Sequence, residues 1–129
     1  MEIVTQNATS LAWIGDAIMS VVVREHLLDL GFQNANKLQK KSIKYCSAKG
    51  QAKVLDQMLE SNYFKEDEKE ILARGRNANV HTKAKNADGQ TYMKATALEA
   101  LLGYLYLYHH DERLKECLTH IIKLGDNLC

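Results

Sequence analysis

Apolar positions recur every three to four residues along most of the chain, and the strict alternation of a half-buried strand is scarce. The periodic stretches are rich in Leu, Ala, Lys and Glu, which favour helix. The pattern predicts a first helix from about Ser10 to Asp29, capped by Thr9 or Ser10 and stopped at Gly31. A second runs from about Ala35 to Cys46, and a third, capped by Ser47, reaches about Glu60, with SNYF as the turn after it. A fourth covers about Glu66 to Arg74, with acids in its first turn and arginines at its end, as the helix dipole favours. The segment GRNANVHTKAKNADGQ, residues 75–90, lacks an apolar period and reads as a loop, of a length that in compact domains is usually functional or disordered. An apolar helix follows from about Thr91 to His109, and the amphipathic DERLKECLTHIIKLG closes the chain. The expected fold is one all-α domain over residues 1–129.

Two of these helices carry a single acid in an apolar setting. Within LAWIGDAIMS, Asp16 is the only charge between Glu2 and Arg24, and Glu99 is the only formal charge between Lys94 and Asp111. The segment 11–23 is apolar or small on nearly every face, so it is expected to be covered on all sides by the domain or a partner chain, with Asp16 inside. A desolvated carboxylate costs several kcal/mol unless it is paired, protonated or bound to a cation. Ala12 and Ser20 lie one turn either side of Asp16, while Ala95, Thr96 and Gly103 flank Glu99, leaving room beside each acid. If the helices cross there, the two acids form a site with two oxygen ligands and space for water, which suits Mg²⁺. A backbone hydrogen bond, a distant Lys or Arg, or a surface position accounts for either acid equally well at this level.

Composition bounds the rest. A chain of 129 residues, 46% apolar and 26% charged, fits one globular domain with a real core. The start has no basic region before an apolar stretch, and no apolar run approaches the roughly 20 residues of a membrane span, so a cytoplasmic protein without membrane attachment is expected. Cys46, Cys117 and Cys129 are odd in number and lack zinc-site spacing, so they are read as reduced packing residues.

The net charge of +1 conceals strong patterning: residues 31–53 carry six lysines and no acid. Lys37, Lys40, Lys41 and Lys44 share one helix face, which is either solvated or answered by an anion. RGRNANVHTKAK holds Arg, Asn, His and Lys that suit phosphates and sugar hydroxyls. Gly-rich phosphate loops, HExxH, CxxC pairs and nucleophile elbows are absent. His109 and His110 read as helix-dipole partners, and Tyr104, Tyr106, Tyr108 and Trp13 as core or dimer-interface packing.

LAWIGDAIMS resembles the signature helix of ribonuclease III catalytic domains, with its Leu-Gly-Asp-Ala core, and ATALEALLGYLYL resembles their later acid-bearing helix. YCSAKGQA, RGRNAN, KNADGQTY and TALEALLGYLYL are similar to the short Mini-ribonuclease III form, which lacks a separate double-stranded-RNA-binding domain; the resemblance runs from about Asn7 to Leu107. It implies a ribonuclease III endonuclease-domain helical bundle and a homodimer that cuts double-stranded RNA with Mg²⁺ or Mn²⁺, leaving 5′-phosphate and 3′-hydroxyl ends. It further implies Asp16 and Glu99 as catalytic and metal-binding acids, and the precursor of 23S ribosomal RNA as substrate, with a ribosomal protein as a candidate companion. Arg74, Arg76, Lys83 and Lys85 are then candidates to clamp the RNA backbone, Asn77 to meet a 2′-hydroxyl, and Lys37, Lys40 and Lys44 to extend the basic surface.

The chain departs from full-length ribonuclease III at two acids: Ala12 stands one turn before Asp16, and Thr96 three residues before Glu99, where that family has carboxylates. Mini-ribonuclease III shares the reduced set, so activity is expected with more water-mediated metal binding. A catalytically weak or inactive RNA-binding scaffold, associated with the ribosome, is the competing reading.

Overall fold

The computed structural model describes residues 3–78 and 87–128. Six helices appear among the described residues: α1 (Ala8–Asp29), α2 (Ala35–Cys46), α3 (Ala48–Glu60), α4 (Glu66–Asn77), α5 (Ala87–Leu107) and α6 (Asp111–Asp126). None of them is long and apolar enough to cross a membrane. The all-α expectation and the order of elements hold.

Helix α5 is the axis of the bundle. It packs most extensively on α1, then on α4 and α3, while α2 and α6 close the outside. Its residues Ala97, Leu98, Ala100, Leu101, Leu102 and Leu105 are almost wholly buried. Helix α1 turns only one stripe inward, Leu11, Ala12, Gly15, Met19, Val23 and Leu27, at the three- and four-residue spacing of a single helix face. Within one chain the segment 11–23 is therefore covered on one face only, which leaves its outer face to the partner-chain part of the expectation, whereas α5 is buried on most of its faces. Trp13 is 81% exposed, and Val21 and Leu28 are also open.

Glycines set the approach of the two central helices. A Cβ on Gly15 would stand 1.8 Å from the Glu99 carbonyl oxygen, and one on Gly103 would stand 2.0 Å from that of Leu11. Each helix thus offers a bare backbone to the other at one of two neighbouring points, which brings the axes together beside Asp16 and Glu99.

Caps follow local chemistry. Asn7, and not Thr9 or Ser10, caps α1, its Oδ1 accepting from the Ser10 N–H at 2.8 Å. Ser47 caps α3 as expected, its Oγ accepting from the Gly50 N–H at 3.0 Å. Helix α1 ends at Asp29, and Gly31 turns the chain at φ +95°.

Both ends of the expected loop over 75–90 are helical, and its middle, 79–86, lies outside the described residues. Helix α4 continues to Asn77, and α5 begins at Ala87. Gly75 explains the first extension, because a Cβ there would lie 2.6 Å from the Ala97 Cα; docking on α5 holds this weak helix former in place. His109 and His110 lie in the turn after α5, His109 at φ 61°, with the His110 ring against Tyr104.

A buried ion pair ties α6 to α4. Glu68, 1% exposed, accepts two bonds of 2.8 Å from Arg113, whose guanidinium also donates to the Tyr63 carbonyl at 2.8 Å and lies over the Tyr63 ring. The same Glu68 accepts from the Lys65 N–H at 2.9 Å and so closes the start of α4. The Glu68 carboxylate, aided by the neighbouring charges, holds the Arg113 guanidinium firmly protonated against the opposing effect of burial. On the far side, Asp126 gathers Tyr45 and His26 through its carboxylate and Lys44 through its carbonyl, anchoring α2 on the end of α6.

Candidate active site

Asp16 projects from the middle of α1 and Glu99 from the middle of α5. The glycine-lined crossing brings them into one pocket of about 340 Å³, lined also by Thr9, Ala12, Trp13, Cys46, Gln51, Tyr92 and Thr96. Their carboxyl groups are in hydrogen-bond contact. Asp16 is exposed and Glu99 half-buried, so the expectation of an interior Asp16 is corrected. The helix turns its Leu11, Gly15 and Met19 edge into the core, and Asp16 rides on the border between that edge and the open face.

The electrostatics are those of an acid pair without a cation. Burial pushes Glu99 from its ordinary value up to about 8, helped by the hydrogen bond that the protonated Glu99 donates to Asp16 and by the Asp16 charge, while a bond donated by Gln51 pulls the other way. No lysine, arginine or histidine among the described residues is ion-paired with either acid. Nearby, burial raises the Cys46 thiol, as do the charges of Asp16 and Glu99, with Arg24 opposing. Cys46 is thus a half-buried, unreactive wall of the pocket, and Cys117 is a core residue as expected.

The donor set fits a hard divalent ion. Two carboxylates sharing one proton are stabilised by a cation that replaces it, and open space around them admits water and a phosphate oxygen. Among the described residues no group of three or more His, Cys, Asp or Glu side chains stands ready to hold a metal. The reason is visible at Ala12 and Thr96, which both line the pocket without offering a carboxylate. The Thr96 hydroxyl donates to the Tyr92 carbonyl at 3.0 Å, one turn back on its own helix.

The basic candidates are dispersed. Lys37, Lys40 and Lys41 are exposed on α2, Lys41 over the Phe32 ring, and Lys44 is half-buried with its Nζ 3.3 Å from the Asp126 carbonyl. Lys40 and Lys44 also line a second pocket with Ser47, Lys49 and Lys53, distinct from the one that holds Cys46 and Gln51. Arg74 pairs with Glu70 at 3.3 Å, and Arg76 donates to Gln90 at 3.4 Å. Asn77 is exposed at the end of α4; Lys83 and Lys85 lie outside the described residues.

Sequence reasoning missed Gln51. It sits on the face of α3 that also buries Ala52, Leu55 and Met58, and a polar side chain in that stripe was the signal available.

Hard oxygen donors meeting in an open pocket, on a chain that exposes lysines and arginines on other parts of its surface, are the equipment of a metal-dependent nuclease. Residues 9–110 match the Ribonuclease III domain family. The Mini-ribonuclease 3 of Staphylococcus aureus is 46% identical over 118 residues, spanning 92% of this chain and 88% of that protein. The Mini-ribonuclease 3 of Streptococcus pneumoniae is 45% identical over 117 residues, spanning 91% of each. The crystal structure of protein FN1578 from Fusobacterium nucleatum superposes with a TM-score of 0.77 at 31% identity, covering 91% of this chain and 92% of that one. The chain belongs to the ribonuclease III family, in its Mini-ribonuclease 3 branch. Enzymes of this family are endoribonucleases of double-stranded RNA that depend on divalent metal ions.

Proposed function

We propose that this protein acts as a homodimer that cuts double-stranded RNA at Asp16 and Glu99, and that its substrate is the precursor of 23S ribosomal RNA, with a ribosomal protein as a candidate companion. The observation that carries the catalytic reading is the contact between the two carboxyl groups in an open pocket that no lysine, arginine or histidine of the described residues lines. Asp16 and Glu99 would hold Mg²⁺ or Mn²⁺. Bound there, the ion supplies a water of lowered pKa and neutralises charge on the phosphate, giving 5′-phosphate and 3′-hydroxyl ends. Glu99 must release its proton to serve as a ligand, which Gln51 assists by donating to the ionised oxygen. Ala12 and Thr96 leave the remaining positions to water and substrate oxygen.

Lys37, Lys40, Lys44, Arg74, Arg76 and Asn77, with Lys83 and Lys85 beyond the described residues, are proposed to hold RNA phosphates and a 2′-hydroxyl. Support comes from the exposure of Lys37, Lys40, Arg76 and Asn77. The homodimer is supported by the open stripe of α1. Trp13, Ala17, Val21, Arg24 and Leu28 follow each other at helical spacing on its outer face, and an apolar strip with an 81% exposed tryptophan invites a second copy. Asp16 borders that strip, so each cutting centre would sit next to the two-fold axis. A cytoplasmic location accords with this substrate.

Incubating wild type, Asp16→Asn and Glu99→Gln with duplex RNA, with and without Mg²⁺, tests the reading. Metal-dependent cleavage by wild type and its loss in both variants is expected. A wild type that binds duplex RNA but never cuts it with any divalent ion would overturn the proposal and leave an RNA-binding scaffold.

A further inference from the structure

Gln51 spends its side chain in an unusual way. Its amide nitrogen donates to the Cys46 carbonyl at 3.0 Å and to Glu99 Oε2 at 3.2 Å, while its own Oε1 is buried with no partner among the described residues. The residue is 2% exposed, so water does not freely replace the missing bond. A buried amide with one satisfied end destabilises the fold relative to an apolar side chain of the same shape. Packing alone therefore does not account for a glutamine at this position of α3.

The Cys46 contact gives the amide its direction. The carbonyl of the last residue of α2 accepts only from the NH₂ end, so rotating the amide by half a turn would set two oxygens against each other. With one hydrogen committed there, the second is fixed as a donor toward Glu99. The α2–α3 junction thereby holds the half-buried carboxyl group by its Oε2.

We infer that Gln51 is a positioning residue for the cutting centre: held by the Cys46 carbonyl, its N–H fixes the orientation of the Glu99 carboxyl group in the pocket it shares with Asp16. The inference rests on the reading of Asp16 and Glu99 as a metal site. It does not require Gln51 to touch metal or RNA. Hydrogen-bond partners of metal-binding carboxylates commonly set affinity or activity by 10- to 100-fold.

Gln51→Met keeps length and removes the donor, and Gln51→Asn keeps an amide that falls short of Glu99. The experiment measures Mn²⁺ binding to the RNA-free protein by calorimetry, kcat and KM on a duplex RNA, and thermal melting. Both variants should bind Mn²⁺ about tenfold more weakly and lose kcat with KM for RNA unchanged, and Gln51→Met should melt no lower than wild type because the orphaned oxygen is gone. Folded variants with wild-type Mn²⁺ affinity and kcat would overturn the inference while leaving the metal-site reading intact. Should Gln51→Met fail to fold, Gln51→Asn carries the same comparison. A wild type that neither binds Mn²⁺ nor cuts RNA would instead overturn the metal site itself, and this inference with it.

Discussion

Gly15 lies against Glu99 so closely that the smallest side chain would place its Cβ 1.8 Å from the Glu99 carbonyl oxygen. The residue next to that contact on α1 is Asp16, so the glycine brings the two acids together. Gly15→Ala must push α1 away from α5 along the most extensive interface of the bundle. A loss of about 3 kcal/mol in urea denaturation is expected, at the upper end of overpacking effects. Cleavage should fall with it, because a shift near 1 Å separates the carboxylates. Unchanged stability and activity would show that the crossing has slack.

The raised Glu99 makes the metal-free protein sensitive to pH in a definite direction. Its folded value of about 8 exceeds the ordinary 4.5, so between those values the folded state holds a proton that the unfolded chain releases. Stability contributed by this group therefore declines as pH rises from about 4.5 to 8 and is level above. After discount for solvent screening at a half-exposed group, the decline is about 2 kcal/mol. Glu99→Gln should remove the slope and be more stable than wild type at pH 8.5 without metal, as measured by denaturant unfolding across that range.

Mn²⁺ competes with that proton for the Glu99 carboxylate. Its affinity for the wild type should climb up to about tenfold per pH unit below 8 and then flatten. Calorimetry at pH 6, 7 and 8.5 measures this, and an affinity independent of pH would mean that Glu99 is not a ligand.

Arg113 and Glu68 are a buried pair 45 residues apart in sequence. Arg113→Met removes the guanidinium that pairs with Glu68 at 1% exposure and also strips the Tyr63 carbonyl of its donor. A cost of about 3–5 kcal/mol is expected for either single change, Arg113→Met or Glu68→Met, with the double variant much closer to wild type. A denaturation double-mutant cycle without coupling would contradict the geometry of the pair.

Trp13 offers the test of assembly. Trp13→Ala and Val21→Glu alter the open stripe without touching the core, so each monomer should stay folded by circular dichroism. Sedimentation is expected to show a wild-type dimer at micromolar concentration and variants shifted toward monomer. A monomeric wild type would remove the homodimer from the proposed function.

Local chemistry was legible in the chain itself. The order of the described helices, the Ser47 cap, and the standing of Asp16 and Glu99 as lone acids each follow from short-range rules, because periodicity, caps and a lone acid in an apolar helix are properties of neighbouring residues. That the two acids meet is decided by the crossing of α1 and α5 at Gly15 and Gly103. Periodicity could not tell which apolar helix the bundle would surround. That depended on α5 being covered by α1, α3 and α4 together, which left α1 with an open face and Asp16 on its border. The same holds for the residues that complete the site and the frame. Gln51 reaches Glu99 across 48 positions, Arg113 reaches Glu68 across 45, and Gly75 is kept helical by Ala97. Each is decided by close packing between distant segments, and only the folded chain brings those segments within a bond length of one another.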